Sequence, residues 1–81
     1  MNIGQKIKEL RQENNLTQEQ LAEQLGVSFQ AVSRWENNTT YPDITLLPII
    51  ASMFDVTTDY LLDINSYKMK EEIDKAVEQD N

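Results

Sequence analysis

One short segment of the chain collects side chains that could recognise another molecule. Phe29, Gln30, Ser33, Arg34 and Asn37 follow the spacing i, i+1, i+4, i+5, i+8, which places them on one face of a helix. A glutamine can make paired hydrogen bonds to an adenine edge, an arginine can bind O6 and N7 of guanine, and an aromatic ring can pack on a thymine methyl. This face therefore offers recognition of base edges, and its alternative is an ordinary solvated helix surface.

Catalytic and metal-binding chemistry has little support in the sequence. The 81 residues include no cysteine and no histidine, which excludes disulfides, thiolate or imidazole catalysis and the usual zinc ligands. No segment resembles a P-loop, a glycine-rich dinucleotide turn or a nucleophile elbow, and acidic pairs such as Glu71-Glu72 are typical of a solvated helix surface. We therefore expect no enzymatic activity, no catalytic residue, no metal and no cofactor.

The chain is acidic, and its charge is unevenly distributed. The net charge of -7 argues against a general affinity for nucleic acid, because that affinity comes mainly from basic side chains that neutralise phosphates. Residues 1–38 carry four basic and five acidic side chains, whereas residues 39–67 contain four aspartates and no basic residue. We therefore expect any anionic partner to meet the first half. No apolar run reaches the roughly 18 to 20 residues of a membrane span, so we expect a cytoplasmic protein without membrane contact.

The apolar pattern predicts one small all-α domain of five helices. Apolar residues at helical spacing predict the first helix over residues 2–14. The second begins with a capping box formed by Thr17 and Gln20. It ends at Gly26, because glycine adopts the left-handed conformation at low cost.

The third helix follows the second after a turn of only three residues. Ser28 is its predicted cap and Asn37 its predicted end. One side of this helix carries the polar face described above. The other side carries an apolar stripe that we expect to pack inward, formed by Ala31, Val32 and Trp35.

Caps and a proline define the last two predicted helices. Thr45 is the predicted cap of the fourth helix, because Pro48 then lies in the first turn, where a missing N–H costs nothing. An Asp43 cap would place the proline one step too deep in the helix. Thr57 is the predicted cap of the fifth helix, which continues to about residue 63.

The second and third helices carry a recognisable motif. Its parts are residues 16–22, 26–28 and 33–37, and the small Ala22 lets the two helices cross closely. With these residues the sequence resembles the helix-turn-helix family of phage Cro and lambda-type repressors, the XRE family, over about residues 3–63. The resemblance implies a lambda-repressor-like fold. It also implies a sequence-specific DNA-binding transcriptional regulator, expected to be a repressor of prokaryotic or phage type.

The resemblance further implies which residues meet DNA. The third helix would lie in the major groove and read base edges through Phe29, Gln30, Ser33 and Arg34. For Phe29, partial burial is the alternative to a base contact. Contacts to the DNA backbone or to an outer base are expected from a second set, namely Thr17, Gln18, Ser28, Asn37, Asn38 and Thr39. Arg11 and Glu36 are expected to form a structural ion pair between the first and third helices.

Two positions depart from the family pattern. Asn38 stands where the family commonly has a glycine, and asparagine tolerates the left-handed conformation better than most residues. The stretch over residues 38–45 lacks the basic side chains that often bind phosphate there. We therefore expect one copy to bind weakly, and a homodimer to form on a double-stranded DNA operator.

The end of the chain is predicted to be separate from the DNA-binding domain. Residues 1–65 form the expected domain, and residues 66–81 form an acidic amphipathic tail that could be a helix, a linker or a dimerisation segment. Its thin apolar stripe could join two copies, lead into a further domain or bind a protein partner: Met69, Ile73, Ala76 and Val77. The alternative function is a protein-interaction module, such as an antitoxin or a modulator of another regulator.

Overall fold

A computed structural model describes residues 2–63, and the tail predicted over residues 66–81 lies outside them. The described residues form five α-helices and no strand, which confirms the predicted all-α class. A 3-10 turn, Ile44–Leu46, leads directly into the fourth helix. The helices are α1 (Ile3–Glu13), α2 (Gln18–Leu25), α3 (Phe29–Glu36), α4 (Leu47–Met53) and α5 (Thr58–Leu61).

Side-chain caps begin three of the helices where the sequence predicts them. Thr17 Oγ1 accepts from the Gln20 N–H at 3.0 Å, and Gln20 Oε1 accepts from the Thr17 N–H at 2.8 Å, so the predicted capping box is present. Ser28 and Thr57 accept from the N–H groups three residues ahead at 3.1 and 3.0 Å. Each cap satisfies a backbone donor that has no partner inside the helix and contributes about 1 kcal/mol.

Four helix ends repeat one hydrogen-bond pattern. After each of α1, α2, α3 and α4, a residue with positive φ is followed by an N–H that donates to the carbonyl five residues earlier. The left-handed residue is Gly26 after α2, and it is Asn15, Asn38 and Asp55 after the others, with φ of 57, 64 and 55°. The prediction for Asn38 is confirmed, because it replaces the family glycine and keeps the left-handed conformation.

A single apolar core joins all five helices. Each helix contributes one side chain with an exposed fraction of 0%, namely Ile7, Leu21, Val32, Ile50 and Leu61. Since α1 and α2 both pack against α3, this core holds α3 from one side. The domain therefore presents the opposite side of α3 to solvent.

The start of α4 differs from the prediction, which placed the cap at Thr45. Asp43 caps the 3-10 turn, because its Oδ1 accepts from the Thr45 N–H at 2.9 Å and from the Thr45 hydroxyl at 2.7 Å. α4 itself follows this turn without a side-chain cap. In the 3-10 turn the Leu47 N–H donates to the Ile44 carbonyl. In an α-helix, residue 48 would donate its N–H to this same carbonyl, but a proline has no N–H. Because the Leu47 N–H already satisfies the Ile44 carbonyl, Pro48 leaves no acceptor without a partner.

We expect the Asp43 cap to weaken in acid. The hydrogen bonds from the Thr45 N–H and then from its hydroxyl hold the pKa of this carboxyl below its ordinary value. The pKa of Asp43 is therefore lower in the folded chain than in the unfolded chain. The ionised cap stabilises the fold fully at pH values above the unfolded pKa, and this stabilisation is lost as the pH falls through the folded pKa. An NMR titration should show the lowered midpoint, and Thr45→Val, which removes only the hydroxyl, should raise it part of the way. A midpoint at the ordinary aspartate value in the wild type would contradict the cap.

Candidate nucleic-acid interface

α3 separates its buried and exposed side chains largely as predicted. Val32 and Trp35 lie in the core, with exposed fractions of 0% and 4%. Gln30 and Arg34 are exposed on the other side. Ala31, predicted for the inward stripe, is only half-buried and packs at the edge of the core. The helix therefore has one attached side and one side that is open to a partner.

The other two predicted reading residues are placed differently from Gln30 and Arg34. Phe29 keeps 44% of its surface exposed although its ring is large and apolar. Ser33 is half-buried. Both therefore present only part of their surface to solvent, and each lies one residue before a fully polar, exposed side chain.

A partly buried ion pair joins α1 to the last residue of α3. Arg11 Nε donates to Glu36 Oε2 at 2.6 Å and Nη2 donates to Glu36 Oε1 at 2.9 Å, so the pair is bidentate. The two side chains are 12% and 4% exposed, and the hydrogen bond with Glu36 raises the pKa of Arg11 above its ordinary value. Arg11 Nη1 also donates to the Leu16 carbonyl at 2.7 Å. The ion pair that the resemblance implied is thus present, and it fixes the end of α3.

Gln18 takes part in the same network, a contact that no sequence pattern indicated. Its Nε2 donates to Glu36 Oε1 at 3.1 Å, which ties the first residue of α2 to the last residue of α3. The bond also orients the amide, because the nitrogen must face the carboxylate. Since Arg11 compensates the charge of Glu36, the acidic residue is tolerable close to an anionic partner.

The turn that follows α3 uses many of its own donors. Asn37 Oδ1 accepts from the Thr39 N–H at 3.2 Å and from the Thr39 hydroxyl. The Arg34 carbonyl accepts from the N–H groups of Thr39 and Thr40 at 2.9 and 3.4 Å. Of these two side chains, Thr39 uses its hydroxyl within the turn, whereas the Asn37 amide nitrogen can donate to an anion.

Gly4 is a site residue that the sequence prediction missed. A Cβ at this position would lie 2.1 Å from the Trp35 carbonyl oxygen and 2.7 Å from Asn38 Oδ1. α1 therefore lies directly against the end of α3 and the turn after it. The available signal was a glycine inside a predicted helix, because glycine there is about 1 kcal/mol less favourable than alanine and often marks close packing.

The predicted contact residues thus form two groups. The start of α2 and the end of α3 are brought together through Gln18 and Glu36, whereas Ser28 lies at the far end of α3, about 12 Å away along an eight-residue helix. Among residues 2–63, no three acidic side chains form a group that could hold a metal ion. None of the helices in this part of the chain is long and apolar enough to cross a bilayer.

A family model for the helix-turn-helix matches residues 7–61, which reach from α1 to α5. The chain belongs to the helix-turn-helix family. In this helix-turn-helix, α2 and α3 form the motif and Gly26 lies in its turn, where the Val27 N–H donates to the Ala22 carbonyl at 3.0 Å. Ala22 is 3% exposed, as expected for a small residue where two helices cross closely.

Curated relatives carry the same domain within longer proteins. The HTH-type transcriptional activator BcrR of Enterococcus faecalis is 50% identical over 62 residues, which are 76% of this chain and 30% of that protein. The HTH-type transcriptional regulator ImmR of Bacillus subtilis (strain 168) is 34% identical over 74 residues, which are 91% of this chain and 58% of that protein. The chain therefore spans less than two thirds of the length of either relative.

A solved structure has the same fold. A SinR protein/SinI protein complex contains a chain that is similar to this one with a TM-score of 0.69 and 35% sequence identity, covering 94% of this chain and 75% of that chain. This likeness confirms the lambda-repressor-like helix-turn-helix fold. Both curated relatives are named as transcriptional regulators with a helix-turn-helix, so the chain belongs to a family of DNA-binding transcriptional regulators.

Proposed function

We propose that this chain is a sequence-specific transcriptional regulator that places α3 in the major groove of a double-stranded DNA operator. The division of α3 carries the proposal, because Val32 and Trp35 attach one side to the core while Gln30 and Arg34 are exposed on the other. Gln30 pairs with an adenine edge, and Arg34 pairs with O6 and N7 of a guanine. The two residues are four apart and therefore lie about one helical turn from each other.

Phe29 and Ser33 extend this reading face. The two residues are four apart, so they form a row that flanks Gln30 and Arg34 and can meet neighbouring bases or the sugar edge. The 44% exposed ring of Phe29 is suited to pack on a thymine methyl. Ser33 is half-buried and has a short reach, which suits a single hydrogen bond to a base or to the DNA backbone.

Gln18 is the best supported of the proposed DNA-backbone anchors. Its amide is oriented by Glu36, and its second amide hydrogen can be donated to a phosphate at the start of α2, where the helix dipole assists. The other proposed anchors share positions at helix starts or in the turn after α3: Thr17, Ser28, Asn37, Asn38 and Thr39. In this set Thr39 acts by holding the Asn37 side chain rather than through its own hydroxyl. These contacts fix the register of α3 in the groove and carry no base preference of their own.

Replacing either main reading residue with alanine should weaken and broaden recognition. Gln30→Ala and Arg34→Ala are each expected to lose about 1 to 3 kcal/mol of binding free energy and to relax the preference at one base pair. Selection from random duplexes gives the preferred site, and titration at fixed salt then gives the loss. Gln12→Ala makes the same change at an exposed position of α1 and should leave binding unchanged. An unaltered base preference in both reading variants would contradict the proposal.

We infer that two copies bind the operator as a homodimer. No basic residue lies between residues 35 and 67, so a single copy has few charges that can neutralise phosphates. A two-fold operator with half-sites about 34 Å apart, or a multiple of that spacing, lets the second copy add its contacts to those of the first. The bound pair is proposed to act in the cytoplasm.

Repression is the proposed direction of regulation. A domain that occupies the major groove blocks other proteins wherever its operator overlaps a promoter. The relative BcrR is named an activator, so this type of domain also serves activation in a longer protein. A reporter gene with the selected operator placed within or upstream of its promoter distinguishes repression from activation. A rise in expression from both operator positions would contradict repression.

A protein-interaction module is the second candidate function. The similar solved structure is a SinR protein/SinI protein complex, so a chain of this fold is found there with a protein partner. An antitoxin or a modulator of another regulator would use its surface in that way. Purification with a stable protein partner, combined with no shift of any selected duplex, would favour this function over the first.

A further inference from the structure

The Gln30 amide can bind a partner through both of its polar ends. Within residues 2–63, its side chain is exposed and has no hydrogen-bond partner. The amides of Gln5, Gln18 and Gln20, in contrast, each make a hydrogen bond inside the domain. A glutamine amide has an acceptor oxygen, Oε1, next to a nitrogen that donates. Gln30 therefore brings an acceptor and a donor side by side to the molecule that α3 meets.

An adenine edge matches these two groups only while its amino group is unmodified. In the major groove, adenine presents N7 as an acceptor and one N6 hydrogen as a donor. A methyl group on N6 replaces that hydrogen, because the base pair with thymine needs the one that remains. Gln30 Oε1 would then face a methyl group instead of a donor. Turning the amide over would place Oε1 against N7, which is also an acceptor.

The position of Gln30 in α3 gives it little freedom to avoid such a methyl group. At the start of the helix, the Ser28 hydroxyl accepts from the N–H of Ala31, the residue after Gln30, at 3.1 Å. At the other end, Glu36 is hydrogen-bonded to Arg11 of α1. Because the helix is attached at both ends, the backbone at Gln30 shifts away from one base edge only together with the rest of α3.

Arg34 does not share this sensitivity to methylation. Guanine presents only acceptors, O6 and N7, in the major groove, and methylation of its partner cytosine leaves both of them in place. The Arg34 guanidinium has only donors, and it has no ion-pair partner in the described part of the chain. A loss of affinity caused by a methyl group on adenine is therefore specific to Gln30 and does not extend to the whole reading face.

We propose that N6-methylation of the adenine read by Gln30 lowers the affinity of this domain for its operator. In the bound complex, Oε1 would be removed from water without gaining a donor, and a polar group left in that state is costly. The unmethylated operator thus holds the regulator, and the methylated operator releases it. The inference rests on the proposed function, because it adds the chemical state of the DNA to the base sequence that α3 reads.

Synthetic duplexes test the proposal on the 81-residue chain. N6-methyladenine replaces only the adenine whose preference Gln30→Ala relaxes. The wild type should bind this duplex about tenfold or more weakly than the unmodified one. Gln12→Ala, changed at an exposed position of α1, should show the same loss, whereas Gln30→Ala should bind both duplexes within about twofold. A methylated adenine placed beyond the selected site should change the affinity of none of the three proteins.

The possible outcomes separate the inference from the proposed function. An equal loss in the wild type and Gln30→Ala would overturn the inference, because the methyl group would then act through the duplex. No loss in the wild type would overturn it as well, since Oε1 would not use the N6 hydrogen. If Gln30→Ala relaxed the preference at a G·C pair, the inference would fail while the proposed function stood. If selection gave no preferred sequence at all, the proposed function itself would fail.

Discussion

Gly4→Ala is expected to destabilise the domain by about 3 kcal/mol, a large part of the stability of so small a fold. The added Cβ would lie 2.1 Å from the Trp35 carbonyl oxygen, and a backbone atom in a helix cannot rotate away as a flexible side chain can. α1 must therefore move off α3, which loosens the packing of the core. Urea unfolding followed by the fluorescence of Trp35, the single tryptophan of the chain, measures the loss.

The second glycine provides the matched control. A Cβ at Gly26 would have no atom within 4 Å, and the cost of alanine there arises only from its φ of +70°. This left-handed conformation costs an alanine about 1 kcal/mol. A loss in Gly4→Ala no larger than that in Gly26→Ala would show that α1 and the end of α3 are not in close contact.

Glu36→Ala is expected to cost about 1.5 to 3 kcal/mol of unfolding free energy, the range of hydrogen bonds to a charged group. The change leaves the Arg11 guanidinium, which is only 12% exposed, without its carboxylate partner. An unpaired charge with little access to water costs more than the loss of an ion pair at the exposed surface. Glu13→Ala removes an exposed glutamate from α1 and should stay within about 0.5 kcal/mol of the wild type. Equal stability of the two variants would refute the structural role of the pair.

A double variant separates folding from DNA binding. Arg11→Met with Glu36→Leu removes both charges together and should regain part of the stability that Glu36→Ala loses. It cannot restore the hydrogen bond from Gln18 Nε2 to Glu36 Oε1, so the amide loses its fixed orientation. We therefore expect this variant to fold while its affinity for the operator stays reduced.

Features that depend on neighbouring residues could be predicted from the sequence. The capping box of Thr17 and Gln20, the Ser28 cap and the left-handed Gly26 each involve residues within a few positions of one another. The exposed side of α3 followed from helical spacing, because a stripe with a buried Trp35 defines the opposite face. Each of these features is determined by the types and spacing of residues that are close together in the sequence.

Contacts between distant positions could not be predicted in the same way. Gly4 meets Trp35, and Gln18 meets Glu36, only after the helices have packed. The Thr45 cap was wrong for a related reason: the sequence does not show that a 3-10 turn will satisfy the Ile44 carbonyl.

The acidic second half of the domain has a consequence for how such a protein finds its site. The 3-10 turn, α4 and α5, with the loops around them, carry four aspartates and no basic residue, so random DNA attracts this part of the surface little. Sliding along arbitrary sequence depends on that attraction. We therefore expect this domain on its own to find its operator mainly by repeated collisions from solution. A larger share of its copies stays free instead of being held by the rest of the genome.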